Sequence, residues 1–447
     1  MKASIVTFGC KQNYAESSAL ARQLERAGYR IVPCDEDAEL VVINTCTVTE
    51  TADKECRTAI RRVRRRSPRA TVVVTGCYAQ LEPEEIARIE GVHLVVGTAE
   101  KFDIASYLSK AQESDRTIII RTEDLRSKEL PFSPAIFSEH DTRTRAFLKL
   151  QDGCDYSCSF CTIPHARGRS RSMPFDEVPL HVRRLVDTGY REIVLTGINL
   201  GEYRAPTGER LLDVLRLLDR LGLDCRYRLS SVEPNRLDYD IIKFVAEHPC
   251  ICPHFHLPLQ SGSATILRLM RRRYRRERYA ESVEAIKELM PHACIGADVL
   301  TGFPGETEEH FDESYQFIES LPLSYLHVFT YSERELTDAG RLHNQVPLRI
   351  RKRRTTELRE LGRRKRERFA VENVGSLRRV LLESYDESLG GFVGYTENYC
   401  RVVMPEGMAG AMVDVTIERC KGELLWGRLS SSFAPTQYID LPVTTIE

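Results

Sequence analysis

The chain has 447 residues, 42% of them hydrophobic and 29% charged, the make-up of about three globular domains of roughly 150 residues each. With 64 Lys and Arg against 65 Asp and Glu, the net charge of -1 excludes a uniformly basic nucleic-acid binder and leaves only local patches. No run approaches the ~18 apolar residues of a membrane span, and 14 cysteines without a leader argue against a secreted disulfide framework. The chain therefore reads as cytoplasmic, with no membrane partner and with metal or redox chemistry expected.

From Met1 to about Leu108 three similar units follow one another, each an apolar run, a turn carrying cysteine and a helix-compatible segment. The runs are Ala3 to Phe8, Leu40 to Ile43 and Thr71 to Val74. Such alternation predicts a parallel sheet, in which ligands sit beyond the carboxyl ends of the strands, and Cys10, Cys46 and Cys77 all fall there. Residues 1–112 form this first domain. Residues 113–139, with Pro131 and Pro134 and mixed charge, read as a linker that adds at most one strand.

A second domain, 140–371, starts near His140. Six runs alternate with helical patterns: Ala146 to Leu150, Ile193 to Thr196, Arg226 to Ser230, Phe255 to Leu259, Ile295 to Leu300 and Tyr325 to Tyr331. Six βα units predict an incomplete parallel barrel. Pro347 can open a long helix over Leu348 to Phe369. Beyond it, residues 372–437 hold Val380 to Glu383, Phe392 to Thr396, Cys400 to Met404, Met412 to Ile417 and Leu424 to Leu429, short strands split by Gly or Pro that predict a small antiparallel barrel.

Cys154, Cys158 and Cys161 form CxxxCxxC directly after the first strand of the second domain. A four-iron cube takes four thiolates, so three on one loop leave one iron open to a small molecule. A zinc site, with His165 as fourth ligand, and buried structural thiols are the competing readings. Cys10, Cys46 and Cys77 are too far apart in sequence to make a short-range motif and share only their strand-end context.

With these cysteines the sequence resembles the radical S-adenosylmethionine superfamily and, within it, the methylthiotransferases. The resemblance runs on through Ile163 to Ser172, Leu195 to Asn199, Ser230 to Pro234, His256 to Gly262 and Gly302 to Thr307. It implies that Cys154, Cys158 and Cys161 hold a 4Fe-4S cluster whose open iron chelates S-adenosylmethionine, cleaved to a 5′-deoxyadenosyl radical. Gly9 to Asn13, Asn44 to Cys46 and Thr75 to Cys77 are similar to the motifs that hold a second, auxiliary 4Fe-4S cluster. S-adenosylmethionine then serves as radical source and as methyl donor. Phe160 is expected against its adenine, and Asn199, Ser230 and Glu233 against its methionine or ribose groups; His256 and Gln260 are assigned to the substrate side from position.

The resemblance extends to residues 372–437, which are similar to a TRAM domain, an appendage of RNA-modifying enzymes, through Gly394 to Tyr399. From Asn373 to Thr436 there are six Lys or Arg against eight Asp or Glu, so contact with RNA would fall to Tyr395, Tyr399, Arg378 and Arg379. Arginines gather at Arg57 to Arg69, Arg268 to Arg278 and Arg349 to Arg368, the last with eleven basic against three acidic residues, and each can serve phosphates or be a solvated helix face. The family implies three substrate classes, threonylcarbamoyl-adenosine in tRNA, isopentenyl-adenosine in tRNA, and an aspartate of a ribosomal protein. The Gly-Cys-Lys-Gln-Asn opening with Glu16 and Ser17 is most like the first, which implies the tRNA anticodon stem-loop as partner and flavodoxin or ferredoxin as electron donor. Glu335-Leu336-Thr337 and Thr301 depart from the usual pattern around the pocket. A zinc-containing RNA-binding protein without catalysis is the reading from another class.

Overall fold

The computed structural model describes residues 1–47, 50–114, 116–135 and 144–430. The expected start of the second domain near His140 and residues 431–437 of the expected terminal barrel lie outside the described residues. Among the described residues no helix is long and apolar enough to cross a membrane.

The first unit is a six-stranded parallel sheet in the order β2-β1-β3-β4-β5-β6, with β1 (Lys2–Thr7), β2 (Arg30–Ile31), β3 (Leu40–Thr45), β4 (Thr71–Gly76), β5 (Leu94–Val96) and β6 (Ile118–Ile120). All residues of β3 are buried, as expected of a strand covered on both faces by helices. Three consecutive β-branched residues carry β6, inside the expected linker, onto the edge of β5.

All six runs expected in the second unit become strands: β7 (Arg145–Lys149), then, after the short pair β8 (Gln151–Asp152) and β9 (Arg171–Ser172), β10 (Glu192–Thr196), β11 (Arg226–Leu229), β12 (His254–His256), β13 (Cys294–Thr301) and β14 (Tyr325–Thr330). They form two parallel sheets, β11-β10-β7 and β12-β13-β14, joined by bridges between Tyr227 and Ile251 and between Ser231 and His256, a barrel left incomplete between β7 and β14. Side chains alternate across each strand. Ala146, Leu148, Ile193, Leu195, Tyr227, Leu229, Phe255, Ala297 and Val299 pack outward into the core beneath the helices. The opposite face lines the lumen and is polar: Arg145, Lys149, Glu192, Arg226, Arg228, His254, His256, Asp298 and His327.

The last unit is a closed barrel, β15 (Leu377–Asp386), β16 (Gly391–Thr396), β17 (Arg401–Met404), β18 (Met412–Lys421) and β19 (Leu424–Leu429), in the order β15-β16-β17-β19-β18. Its pairing is antiparallel except where β17 meets β19 in parallel to close it. The helix Leu348–Asn373 leads into it, and its Phe369 and Ala370 belong to the barrel's core.

The junctions are ionic. Glu192 accepts from Arg226 (2.6 Å) and Arg228 (2.7 Å). These guanidiniums go on to donate to the carbonyls of Arg379, Tyr395 and Glu397, so the terminal barrel closes the lower end of the lumen. This overturns the expectation that Tyr395 and Tyr399 face RNA. Tyr395 stacks on Tyr399 with centroids 5.1 Å apart, and Tyr399 lies 4.5 Å from the ring of His254 inside the lumen. Arg378 pairs with Glu397, which leaves Arg379 as the exposed member of the four.

Candidate functional site

The first cysteine set is built by three neighbouring strands. Cys10 follows β1 and precedes the helix Lys11–Arg26, Cys46 follows β3, and Cys77 opens the helix Cys77–Leu81 after β4. Two glycines make the approach possible. A Cβ on Gly9 (φ +99°) would lie 2.5 Å from Cys46 Cβ and 2.8 Å from its Sγ, and one on Gly76 (φ +98°) 2.4 Å from the carbonyl of Thr45. Cys10 is exposed, whereas Cys46 and Cys77 are buried. Burial pushes the Cys77 thiol up, opposed by the positive charges of Arg167 and Lys101.

The second set lies on the loop after β8. A Cβ on Gly153 (φ +70°) would meet the carbonyl of Arg169 at 2.0 Å, so the loop turns as tightly as it does because that residue is glycine. The amide of Cys154 donates to Gly168 (3.1 Å) and that of Cys161 to Cys158 (3.1 Å). Ser159 anchors the loop from outside, its amide to Met270 and its hydroxyl to Leu269. Burial raises all three thiols, Cys161 to about 12, with the other thiols of the set adding to it at Cys154 and Cys161. Thiols so placed ionise when a metal takes the proton's place.

Two features test whether these sets suit iron–sulfur ligation. Zinc draws four tetrahedral sulfurs to within about 3.8 Å of one another. Among the described residues the three-ligand group whose atoms come within 4.8 Å is His256, Asp298 and His327, so neither cysteine set is that compact, and His165 does not complete one. His165 instead lies near Arg126, with burial lowering its pKa. At the ends of β10 and β11, Asn199 Oδ1 and Nδ2 and Ser230 Oγ are buried without a hydrogen-bond partner, an arrangement that suits a polar ligand such as S-adenosylmethionine. The remaining two expected ligand contacts are already engaged. Phe160 packs edge-on to Phe303 at 6.4 Å, and Glu233 pairs with Arg272.

Arg272 is a site residue that sequence reasoning missed. It lies within the arginine run assigned to phosphates, yet it is buried and donates to Cys158 Sγ (3.2 Å) as well as to Glu233. A guanidinium at that sulfur favours the thiolate. Most arginines of the helix Leu348–Asn373 also have protein partners: Arg351 with Glu333, Arg354 with Glu306 and Glu308, Arg363 with Glu360 and Glu367, Arg366 with Glu423. Only the pairs of Arg363 lie within the helix; the acids that meet Arg351, Arg354 and Arg366 come from other elements, so their spacing gave no sign of them. At the two departures from the family pattern, the Thr301 hydroxyl bonds to Thr355 (2.7 Å), and the Thr337 hydroxyl accepts from the Gly340 amide within its own turn. His256 does reach the lumen, 3.0 Å from Asp298, while Gln260 (φ +66°) is tied to β13 by its backbone.

One buried ionic network joins the two sets. Arg167, at the end of the helix Ile163–Arg167 behind the CxxxCxxC loop, donates to Glu16 Oε1 (2.9 Å) and Oε2 (3.1 Å), Asp152 Oδ1 (3.0 Å) and Asn13 Oδ1 (2.6 Å). Glu16 and Asn13 belong to the helix that begins next to Cys10. Lys101 and Lys149 also reach Glu16, and Arg171 reaches Asp152. Four cations thus surround two carboxylates, and the surplus faces Cys77. A further tie runs from Arg334 to Asp53 (2.6 Å) and the carbonyl of Thr47, beside Cys46.

Burial alone would raise Glu16, but Arg167, Lys101 and Lys149 hold it down at about 2. Lys101, in contact with the same carboxylate, is itself lowered to about 8 by burial, so the pair's two shifts pull in opposite senses. The carboxylate is shared by three cations, which makes its ionised state the better secured. A carboxyl depressed in the folded state contributes stability above its unfolded pKa, about 4.3, and loses it as pH falls through the folded value. Intrinsic fluorescence and limited proteolysis should therefore report the first two units separating between about pH 4 and pH 2, a transition that Glu16→Gln removes from the titration.

Comparison with known proteins agrees with this architecture. Residues 2–97 match the family described as Uncharacterized protein family UPF0004, and residues 148–318 match the Radical SAM superfamily. The threonylcarbamoyladenosine tRNA methylthiotransferase of Aquifex aeolicus is 40% identical over 89% of this chain and 95% of its own. That of Bacillus subtilis is 38% identical over 92% of each. A tRNA-2-methylthio-N(6)-dimethylallyladenosine synthase of Fusobacterium nucleatum is 30% identical over 96% of this chain and 99% of its own. Among solved structures, a radical S-adenosylmethionine methyltransferase from Kitasatospora setae, with cobalamin and a [4Fe-4S] cluster bound, shares the fold at a TM-score of 0.56 and 16% identity, covering 76% of this chain and 77% of its own. The chain belongs to the radical S-adenosylmethionine methylthiotransferases, enzymes that combine a four-iron cluster with S-adenosylmethionine, and among them it is most like the threonylcarbamoyladenosine tRNA class.

Proposed function

We propose that the protein methylthiolates C2 of N6-threonylcarbamoyladenosine next to the tRNA anticodon, with Cys154, Cys158 and Cys161 holding one 4Fe-4S cluster and Cys10, Cys46 and Cys77 a second. The observation that carries this reading is the Arg167 network, which sets the strand-end cysteines of the first unit against the loop carrying CxxxCxxC. When bound, the clusters and two molecules of S-adenosylmethionine supply the radical, the methyl group and a soft site for sulfur.

The chain's own residues do the rest. Asn199 and Ser230 offer polar atoms to the methionine or ribose groups, and Arg272 fixes Cys158 from behind. The helix Lys11–Arg26 begins directly after Cys10 and points its positive end toward it. The terminal barrel covers the lower lumen and keeps water from a radical formed above it. For tRNA, exposed Arg61, Arg62, Arg65 and Arg69, on and just beyond the helix Glu50–Arg66, offer a basic face without an ion pair among the described residues.

Nucleoside mass spectrometry of tRNA from a strain lacking the gene tests the reading. The 2-methylthio form of threonylcarbamoyladenosine should disappear and return with a plasmid copy. Its persistence, or loss of the methylthio group from isopentenyladenosine or a ribosomal-protein aspartate instead, overturns the reading. Anaerobic analysis giving zinc in place of about eight irons per chain would favour the non-catalytic RNA-binding alternative.

A further inference from the structure

Lys11 stands next to Cys10 at the first position of its helix, with its side chain turned into the lumen. Among the described residues its ammonium makes no hydrogen bond or ion pair, and its recorded neighbour is the ring of Tyr399, 5.8 Å from Nζ. That ring is itself ringed by cations, with the guanidinium of Arg228 at 5.0 Å and that of Arg145 at 4.7 Å from the adjoining Tyr395.

The carboxylates here are already used. Glu192 serves Arg226 and Arg228, and Glu383 pairs with Arg145 at 2.6 Å. Arg145, Arg226, Arg228 and Lys11 therefore stand against two acids, and Lys11 alone among them has none. Asp298, on another wall, is occupied by His256 (3.0 Å) and His327 (3.4 Å). The excess positive charge is felt nearby: burial lowers His254, and Arg228 and Lys11 lower it further. A half-buried ammonium among guanidiniums is unfavourable until an anion joins it.

We infer that Lys11 is a specificity-determining residue whose ammonium pairs with the carboxylate of the substrate's threonylcarbamoyl substituent. The inference rests on the substrate reading above and adds the group that would enforce it. In adenine, C2 and the carbon bearing N6 flank the same ring nitrogen. The two positions are therefore close on the base, so with C2 presented at the cysteine-bearing strand ends the N6 substituent lies in the same part of the site, where Lys11 follows Cys10. The threonylcarbamoyl group brings one negative charge to a pocket with a surplus of positive charge. An isopentenyl group is a hydrocarbon, would bury the ammonium unpaired, and is rejected for that reason.

The test uses reconstituted full-length enzyme under anaerobic conditions and two anticodon stem-loop RNAs identical except that the threonyl carboxylate of one is a carboxamide. Fluorescence anisotropy of the wild type should show the acid bound about 10- to 100-fold more tightly than the amide. Lys11→Met should erase that preference by weakening the acid alone, and Lys11→Arg should restore part of it. Equal binding of the two RNAs by the wild type overturns the inference without reference to any variant, as does a preference that survives in Lys11→Met. Mass spectrometry of the same RNAs separates the two levels. If the acid RNA is methylthiolated but not preferred, Lys11 has no such role and the substrate reading stands; if only an isopentenyl stem-loop is methylthiolated, both fall.

Discussion

Cys154→Ala is expected to abolish cleavage of S-adenosylmethionine. One of three thiols is then gone from a loop held by Gly168, Met270 and Leu269, which leaves two protein sulfurs, Cys158 and Cys161, for the cluster. Burial raises the remaining Cys158 and Cys161 thiols, so without metal they return to the protonated form. Loss of an outer partner of a metal ligand costs 10- to 100-fold, and loss of the ligand should cost more than about a hundredfold. The measurement is 5′-deoxyadenosine released under reducing, anaerobic conditions, with iron falling from about eight to about four per chain. Cleavage at the wild-type rate would remove Cys154 from the site. Cys46→Ala should do the reverse, keeping cleavage while sulfur insertion is lost.

Arg167→Met is expected to give the largest loss of stability short of a cysteine change. The guanidinium is fully buried and makes four charge-assisted bonds, to Glu16 twice, to Asp152 and to Asn13. A methionine fills much of the volume but leaves two buried carboxylates short of donors, for which about 3 kcal/mol is the expected cost. In a chain this size that corresponds to a melting temperature lower by about 3 °C. Iron bound at Cys10, Cys46 and Cys77 should fall as well, because Arg167 supplies positive charge at Cys77. Thermal melts indistinguishable from wild type would mean that the remaining three cations suffice.

The cysteine spacing, the strand-end context and the three-part order were legible in the chain because each is local: a CxxxCxxC loop, an apolar run before a Gly-Cys turn, and strands cut by glycine can be read without knowing what packs on them. The arginines were not legible in this way. Arg272, Arg351 and Arg354 sit in runs that look like phosphate-binding faces, and Arg167 in the stretch Ile163 to Ser172, yet their partners Glu233, Glu333, Glu306 and Glu16 lie 18 to 151 positions away. Tyr395 and Tyr399 misled for the same reason, since an aromatic pair on a small barrel looks alike whether it meets a base or another domain.

By itself, then, the sequence determined which thiols are offered, at which strand ends, and in which order the three units come, since these follow from short-range periodicity and turn chemistry. Only the tertiary structure decided that Arg167 bridges the two cysteine sets, that the terminal barrel plugs the lumen, and that Lys11 is left without a carboxylate. Charge pairing over long separations is settled by what burial brings within about 3 Å, and no local pattern in the chain encodes it.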